Sequence, residues 1–101
     1  MSQITSTLEE NGREILIRIR GRFDFSLHRA FRDAYRGQSS GLHYSVDLSG
    51  TEYLDSSALG MLLLLREHAG GDTAKVRLTG ASAEVLRLLA IARFEQLFEL
   101  G

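Results

Sequence analysis

A mixed α/β sheet opened by a β-hairpin, with helices on one face, is the fold class this chain predicts. Three observations lead to it. Two segments, "EILIRIR" and "LHYSVDLS", alternate apolar and polar residues with a period of two, the signature of half-buried strands. Segments of helical spacing separate the strand-like segments, which implies strand–helix–strand units with parallel pairing. An Asn11-Gly12 pair stands ahead of the first strong strand, where it favours the left-handed backbone of a tight hairpin turn.

The elements follow in order. Residues 4–9 alternate weakly, with Ile4, Ser6 and Leu8 on one face, and form the first strand of the hairpin. In the second strand, Ile15, Ile17 and Ile19 point one way and Leu16, Arg18 and Arg20 the other. Leu27, Ala30, Phe31 and Ala34 then fall at helical spacing with Tyr35 beside them. Ser26 or Asp24 caps the start of that helix and Gly37 ends it. After a short "QSSG" loop, Leu42, Tyr44, Val46 and Leu48 share one face of a strand. "GTEYLD" reads as a loop.

"SSALGMLLLLREHAGG" is a helix whose apolar face is Ala58, Leu59, Leu62, Leu65 and Ala69, stopped by Gly70-Gly71. Met61 stands at the border of that face, and Leu64 lies well away from it. "KVRLTG" is a short strand with Val76 and Leu78 inward, and "SAEVLRLLAIA" is a helix capped by Ser82 that buries Val85, Leu86, Leu88 and Leu89. Residues 93–101 fit either a short strand or a helical turn. Buried parallel sheets show unbroken apolar strands; these alternate, so the helices are expected on one face with the other wet.

The chain has 101 residues, 44% of them hydrophobic and 25% charged, which suits one compact domain over residues 1–101 with a core of useful size. A net charge of −1 leaves no electrostatic footprint for nucleic acid or an anionic membrane. No apolar run exceeds the five residues of Met61 to Leu65, far too short to insert in a bilayer. The absence of cysteine removes disulfides and thiolate chemistry and suits a reducing cytoplasm. "MSQITSTLEENG" has no basic start followed by an apolar stretch, so no secretory signal is expected.

Sites of chemistry are mostly excluded. His28, His43 and His68 lack metal-ligand spacing, so no metal and no cofactor is expected. Neither a Walker-type phosphate loop nor a dinucleotide fingerprint is present. A serine hydrolase would use Ser56 or Ser57, but G-x-S-x-G is missing and the chain is short for a lined pocket. No enzyme activity is expected. What stands out is Asp55-Ser56-Ser57 at the mouth of the apolar helix. Asp55 or Ser56 suits the N-cap, which explains one polar residue of the three. Met61 and Leu64, just beyond, form a candidate docking patch.

"VDLSGTEYLDSSALGMLLLL" resembles the signature of STAS domains, in particular the bacterial anti-sigma factor antagonists. "IRGRFDF" is similar to that family's G-x-[FL]-D segment, and "VRLTGASAEVLRLLAIARFEQLF" to its closing strand and helix. The resemblance implies a cytoplasmic, phosphorylation-switched binding module. Unmodified, it binds an anti-sigma factor or serine protein kinase and frees the regulator that partner held. A metal-dependent serine phosphatase reverses the modification. Carried over residue by residue, Ser56 is the phosphoacceptor, with Ser57 the alternative. Asp24, Asp55, Ser57, Ala58, Met61 and Leu64 are the expected partner-binding residues. Ala58 departs from the family's usual glycine, which would matter where the backbone had positive φ or the partner approached that Cα. Non-phosphorylated STAS subunits bound to ABC transporter ATPases also exist, so the alternative is a constitutive subunit in which Ser56 only caps a helix.

Overall fold

The computed structural model describes residues 3–9, 12–39 and 41–101. These form a five-stranded sheet in the order β1-β2-β3-β4-β5, with three α-helices in the connections. β1 (Ile4–Leu8) pairs antiparallel with β2 (Glu14–Phe23). Glu9 N–H donates to the Glu14 carbonyl and Gly12, at φ +68°, to that of Glu9, closing the hairpin. Asn11 of the expected turn, and Ser40 of the "QSSG" loop, lie outside the described residues. β3 (His43–Leu54), β4 (Val76–Thr79) and β5 (Glu99–Leu100) add in parallel.

The strand order equals the chain order, so each right-handed crossover places its helix on the same side of the sheet. These are α1 (His28–Tyr35), α2 (Ser56–Ala69) and α3 (Ala83–Ile91). Ile15, Ile17, Ile19, Tyr44, Val46, Leu48, Val76 and Leu78 form the covered face. Onto it pack Phe31 and Tyr35 of α1, Leu62 and Leu65 of α2, and Val85 and Leu89 of α3. Burying each such side chain contributes about 1.5–3 kcal/mol. The opposite face carries Thr5, Thr7, Arg18, Arg20, Arg77 and Glu99, all exposed.

Several expectations are corrected. The "GTEYLD" loop is mostly strand, because β3 runs on to Leu54. Its register against β2 shifts twice, between Arg18 and Arg20 and between Gly21 and Arg22. Each shift sets two β3 residues against one, and the buried positions become Leu48, Thr51 and Leu54. A spacing of three hides a strand from a search for alternation. In the first crossover, residues 25–27 form a 3-10 turn and the α-helix starts only at His28, which leaves Ala30 exposed. Leu86 is exposed rather than buried, and so is Leu8. The tail contains both candidate elements. A 3-10 turn (Phe94–Gln96) and β5 are pinned by Phe94 and Phe98, stacked with ring centroids 5.0 Å apart.

Candidate functional site

β2 and β3 end side by side, and the chain emerges from each into a helical turn. Asp55 N–H donates to the Phe23 carbonyl across the gap at 3.4 Å. Ligand sites in parallel sheets gather at this carboxyl end of the strands. Two matching units stand there. After β2, Asp24 Oδ1 accepts from Ser26 N at 3.0 Å and Ser26 Oγ at 2.5 Å, capping the 3-10 turn. After β3, Asp55 Oδ1 accepts from Ala58 N at 3.0 Å and Ser57 Oγ at 2.6 Å, capping α2. Each unit is Asp-x-Ser, and each uses the carboxylate to satisfy helix-start donors that would otherwise lack partners. The middle residue of one is Phe25, and of the other Ser56.

The electrostatics follow from these bonds. The Ser57 hydroxyl, with help from the Ala58 and Ser57 backbone N–H groups, holds the Asp55 carboxyl below its ordinary value, against partial desolvation and, to a lesser degree, the charge of Asp24. Asp24 is lowered in turn by the Ser26 hydroxyl and backbone N–H and by Arg22. Arg22 Nε lies 3.6 Å from Asp24 Oδ2, and its guanidinium sits 4.3 Å from the centroid of the Tyr53 ring. Both carboxylates are therefore ionised at neutral pH beside Ser56.

Ser56 is the first residue of α2. Its side chain is exposed, and its hydroxyl makes no hydrogen bond to another described residue. Ser57 is half-buried and its hydroxyl is engaged by Asp55. The cap is thus Asp55, not Ser56. Leu64 is 57% exposed, as expected. Met61 is not at a border: it is 4% exposed and belongs to the core. Ala58 is fully buried within the helix, with no positive φ, so its methyl group fills the core. In the free domain neither side chain is exposed at the surface, where Leu64 is. Gly60, by contrast, is exposed and a Cβ there would meet open space.

Sequence reasoning missed Phe25, 67% exposed, and Tyr53, 41% exposed, both at this rim. The repeated Asp-x-Ser spacing was the available signal. Among the described residues no cluster of three or more metal-ligating side chains exists. His28 stacks on Phe25, His68 Nε2–H donates to the Gln38 carbonyl at 2.8 Å, and neither hydrogen-bonds Ser56 or Ser57 in the structure. No described helix is long and apolar enough to cross a membrane.

A family model for the Mlab, STAS domain matches residues 6–99. The chain belongs to the STAS-domain family. A STAS-domain containing protein of Pseudomonas aeruginosa strain UCBPP-PA14 is 54% identical over 99 residues, covering 97% of this chain and 98% of that protein. The anti-sigma factor antagonist SpoIIAA in its unphosphorylated form superposes with a TM-score of 0.71 at 13% identity, over 97% of this chain and 86% of that one. The Bacillus SpoIIAA in its phosphorylated form gives 0.62 at 15%, over 96% and 91%. The murine anion transporter Slc26a9 gives 0.63 at 17% identity, over 77% of this chain but 13% of the transporter. At these identities the structural likenesses speak to the fold, which anti-sigma antagonists and transporters share.

Proposed function

We propose that this STAS domain is an anti-sigma factor antagonist switched by phosphorylation of Ser56. The observation that carries the reading is the contrast between the two serines: Ser56 is exposed with a free hydroxyl, whereas Ser57 is tied to Asp55. Unmodified, the domain binds an anti-sigma factor or serine kinase through the rim around Ser56, Asp24, Asp55 and Leu64. A serine phosphatase resets it.

The physics suits a switch between proteins rather than within one. A phosphate at the start of the 14-residue α2 meets the positive end of the helix dipole, so the domain stays folded. The group adds about −1.5 to −2 charges. Asp24 and Asp55 already make the site negative. A partner closing over Ser56 then buries charge without a counterion, which costs several kcal/mol. Each loss of about 1.4 kcal/mol weakens binding tenfold.

The fold shared with the anion transporter Slc26a9 favours a second reading, a constitutive subunit of a transporter. The two readings separate on Ser56→Asp. The switch predicts binding weakened by tenfold or more with Ser56→Ala binding normally and refusing phosphate. The constitutive subunit predicts equal affinity for both variants.

A further inference from the structure

Resting on that reading, we infer that Phe25 is the apolar anchor of the partner interface, and that its partner presents an apolar cleft bordered by one basic side chain. Phe23 and Phe31 lie inside the core with ring centroids 5.2 Å apart, so the core does not need Phe25. The residue is 67% exposed, yet its turn and its ring both have partners. The Asp24 cap holds the turn, and the ring stacks on His28 at 5.1 Å and 13°. A large aromatic side chain already held in place loses little entropy on binding, which is what interface hot spots share.

Its position is set by the paired Asp-x-Ser units. Phe25 occupies in the first unit the station that Ser56 occupies in the second, and the Asp55–Phe23 backbone bond joins the two. A partner that covers one covers the other. The charges define what surrounds the cleft. Arg22 answers Asp24 within the domain. No described cation pairs with Asp55, and the charge it senses is that of Asp24. One carboxylate is left for one partner cation, which Asp55 matches alone. A phosphate on Ser56 brings further negative charge and bulk beside both contacts, for which that single cation has no capacity.

The test uses the full chain in its host cells, with p-benzoylphenylalanine in place of Phe25, and in parallel in place of Leu64 or of Thr7 on the open sheet face. After irradiation the cross-linked peptide is sequenced. The protein it comes from is then purified and titrated against wild type, Phe25→Ala, Asp55→Asn and Ser56→Asp. Cross-linking from positions 25 and 64 but not 7, to one peptide carrying Lys or Arg among apolar residues, is expected. Phe25→Ala should weaken binding at least tenfold, and Asp55→Asn, which keeps the helix cap, should flatten its salt dependence. No cross-link from position 25, a cross-link to an acidic peptide or a second copy of this chain, or unchanged affinity for Phe25→Ala overturns the inference. If Phe25→Ala is silent while Ser56→Asp weakens binding, the anchor fails and the switch stands. The reverse result retains the anchor and removes the switch.

Discussion

Replacing Asp55 with alanine separates the structural role of the Asp-Ser-Ser triplet from its signalling role. The carboxylate accepts from Ala58 N at 3.0 Å and Ser57 Oγ at 2.6 Å. Loss of a capping side chain costs about 1 kcal/mol, within a range of roughly 0.5–2. Ser57 is half-buried and turns its freed hydroxyl to water, so its loss adds only a fraction of a charge-assisted bond. A total of about 1–2 kcal/mol follows. With a urea slope of about 2 kcal/mol/M, the unfolding midpoint falls by roughly 0.5–1 M. Asp55→Asn still accepts the Ala58 N–H and should lose only a few tenths of a kcal/mol. The defect of Asp55→Ala also depends on pH. The folded state holds the Asp55 carboxyl below its ordinary value, so the unfolded chain takes up its proton first as pH falls. The wild-type advantage is present above the ordinary carboxylate range and disappears as pH drops through the lowered folded value. Urea titrations of the three proteins at pH 7 and at acid pH read all of this. Equal midpoints for wild type and Asp55→Ala, or equal loss in the alanine and asparagine variants, would refute the capping argument.

Further outcomes follow from burial and backbone geometry. Leu62→Ala and Met61→Ala, at 0% and 4% exposure, should each cost about 2–5 kcal/mol in urea denaturation. Leu64→Ala, at 57%, should stay within about 0.5 kcal/mol of wild type; a large loss there would place it in the core. Gly80 has φ +72°, and a Cβ would lie 3.0 Å from Ser49 Cβ and 3.2 Å from Ser49 N, so Gly80→Ala should cost about 2 kcal/mol or more. A thermal melt that moves by less than about 4 °C would contradict that strain. Burial raises the Tyr35 and Tyr44 phenols. Their contribution is complete below the ordinary phenol range near 10 and is lost as pH rises through the raised folded values, which alkaline titration of stability measures.

The sequence made the helix-facing side of β2 legible because Ile15, Ile17 and Ile19 alternate with polar residues and nothing interrupts the pleat. The second half of β3 was not legible because two register shifts replace alternation with buried residues at every third position. α2 was recognisable as a helix, but Met61 was misplaced. Its neighbours Leu62, Leu63, Leu64 and Leu65 make every side apolar, and only the sheet and α1 decide which side is covered. At the site, Asp55, Ser56 and Ser57 were visible as a motif. The difference between the serines was not, because it depends on where one hydroxyl points. Phe25 escaped notice because apolar residues are expected inward, and its exposure follows from the 3-10 turn that Asp24 starts.

The proposed switch requires a reversible phosphate on Ser56, which phosphosite mapping reads without intermediaries. Protein recovered from growing and from stressed cells, with phosphatases inhibited at lysis, is digested and its serines assigned by mass spectrometry. Phosphate on Ser56 whose occupancy changes with growth condition, with Ser57 unmodified, is the expected result. Phosphate on Ser57 alone, or an unmodified Ser56 in every condition, would contradict it and leave Asp55-Ser56-Ser57 as a helix start and nothing more.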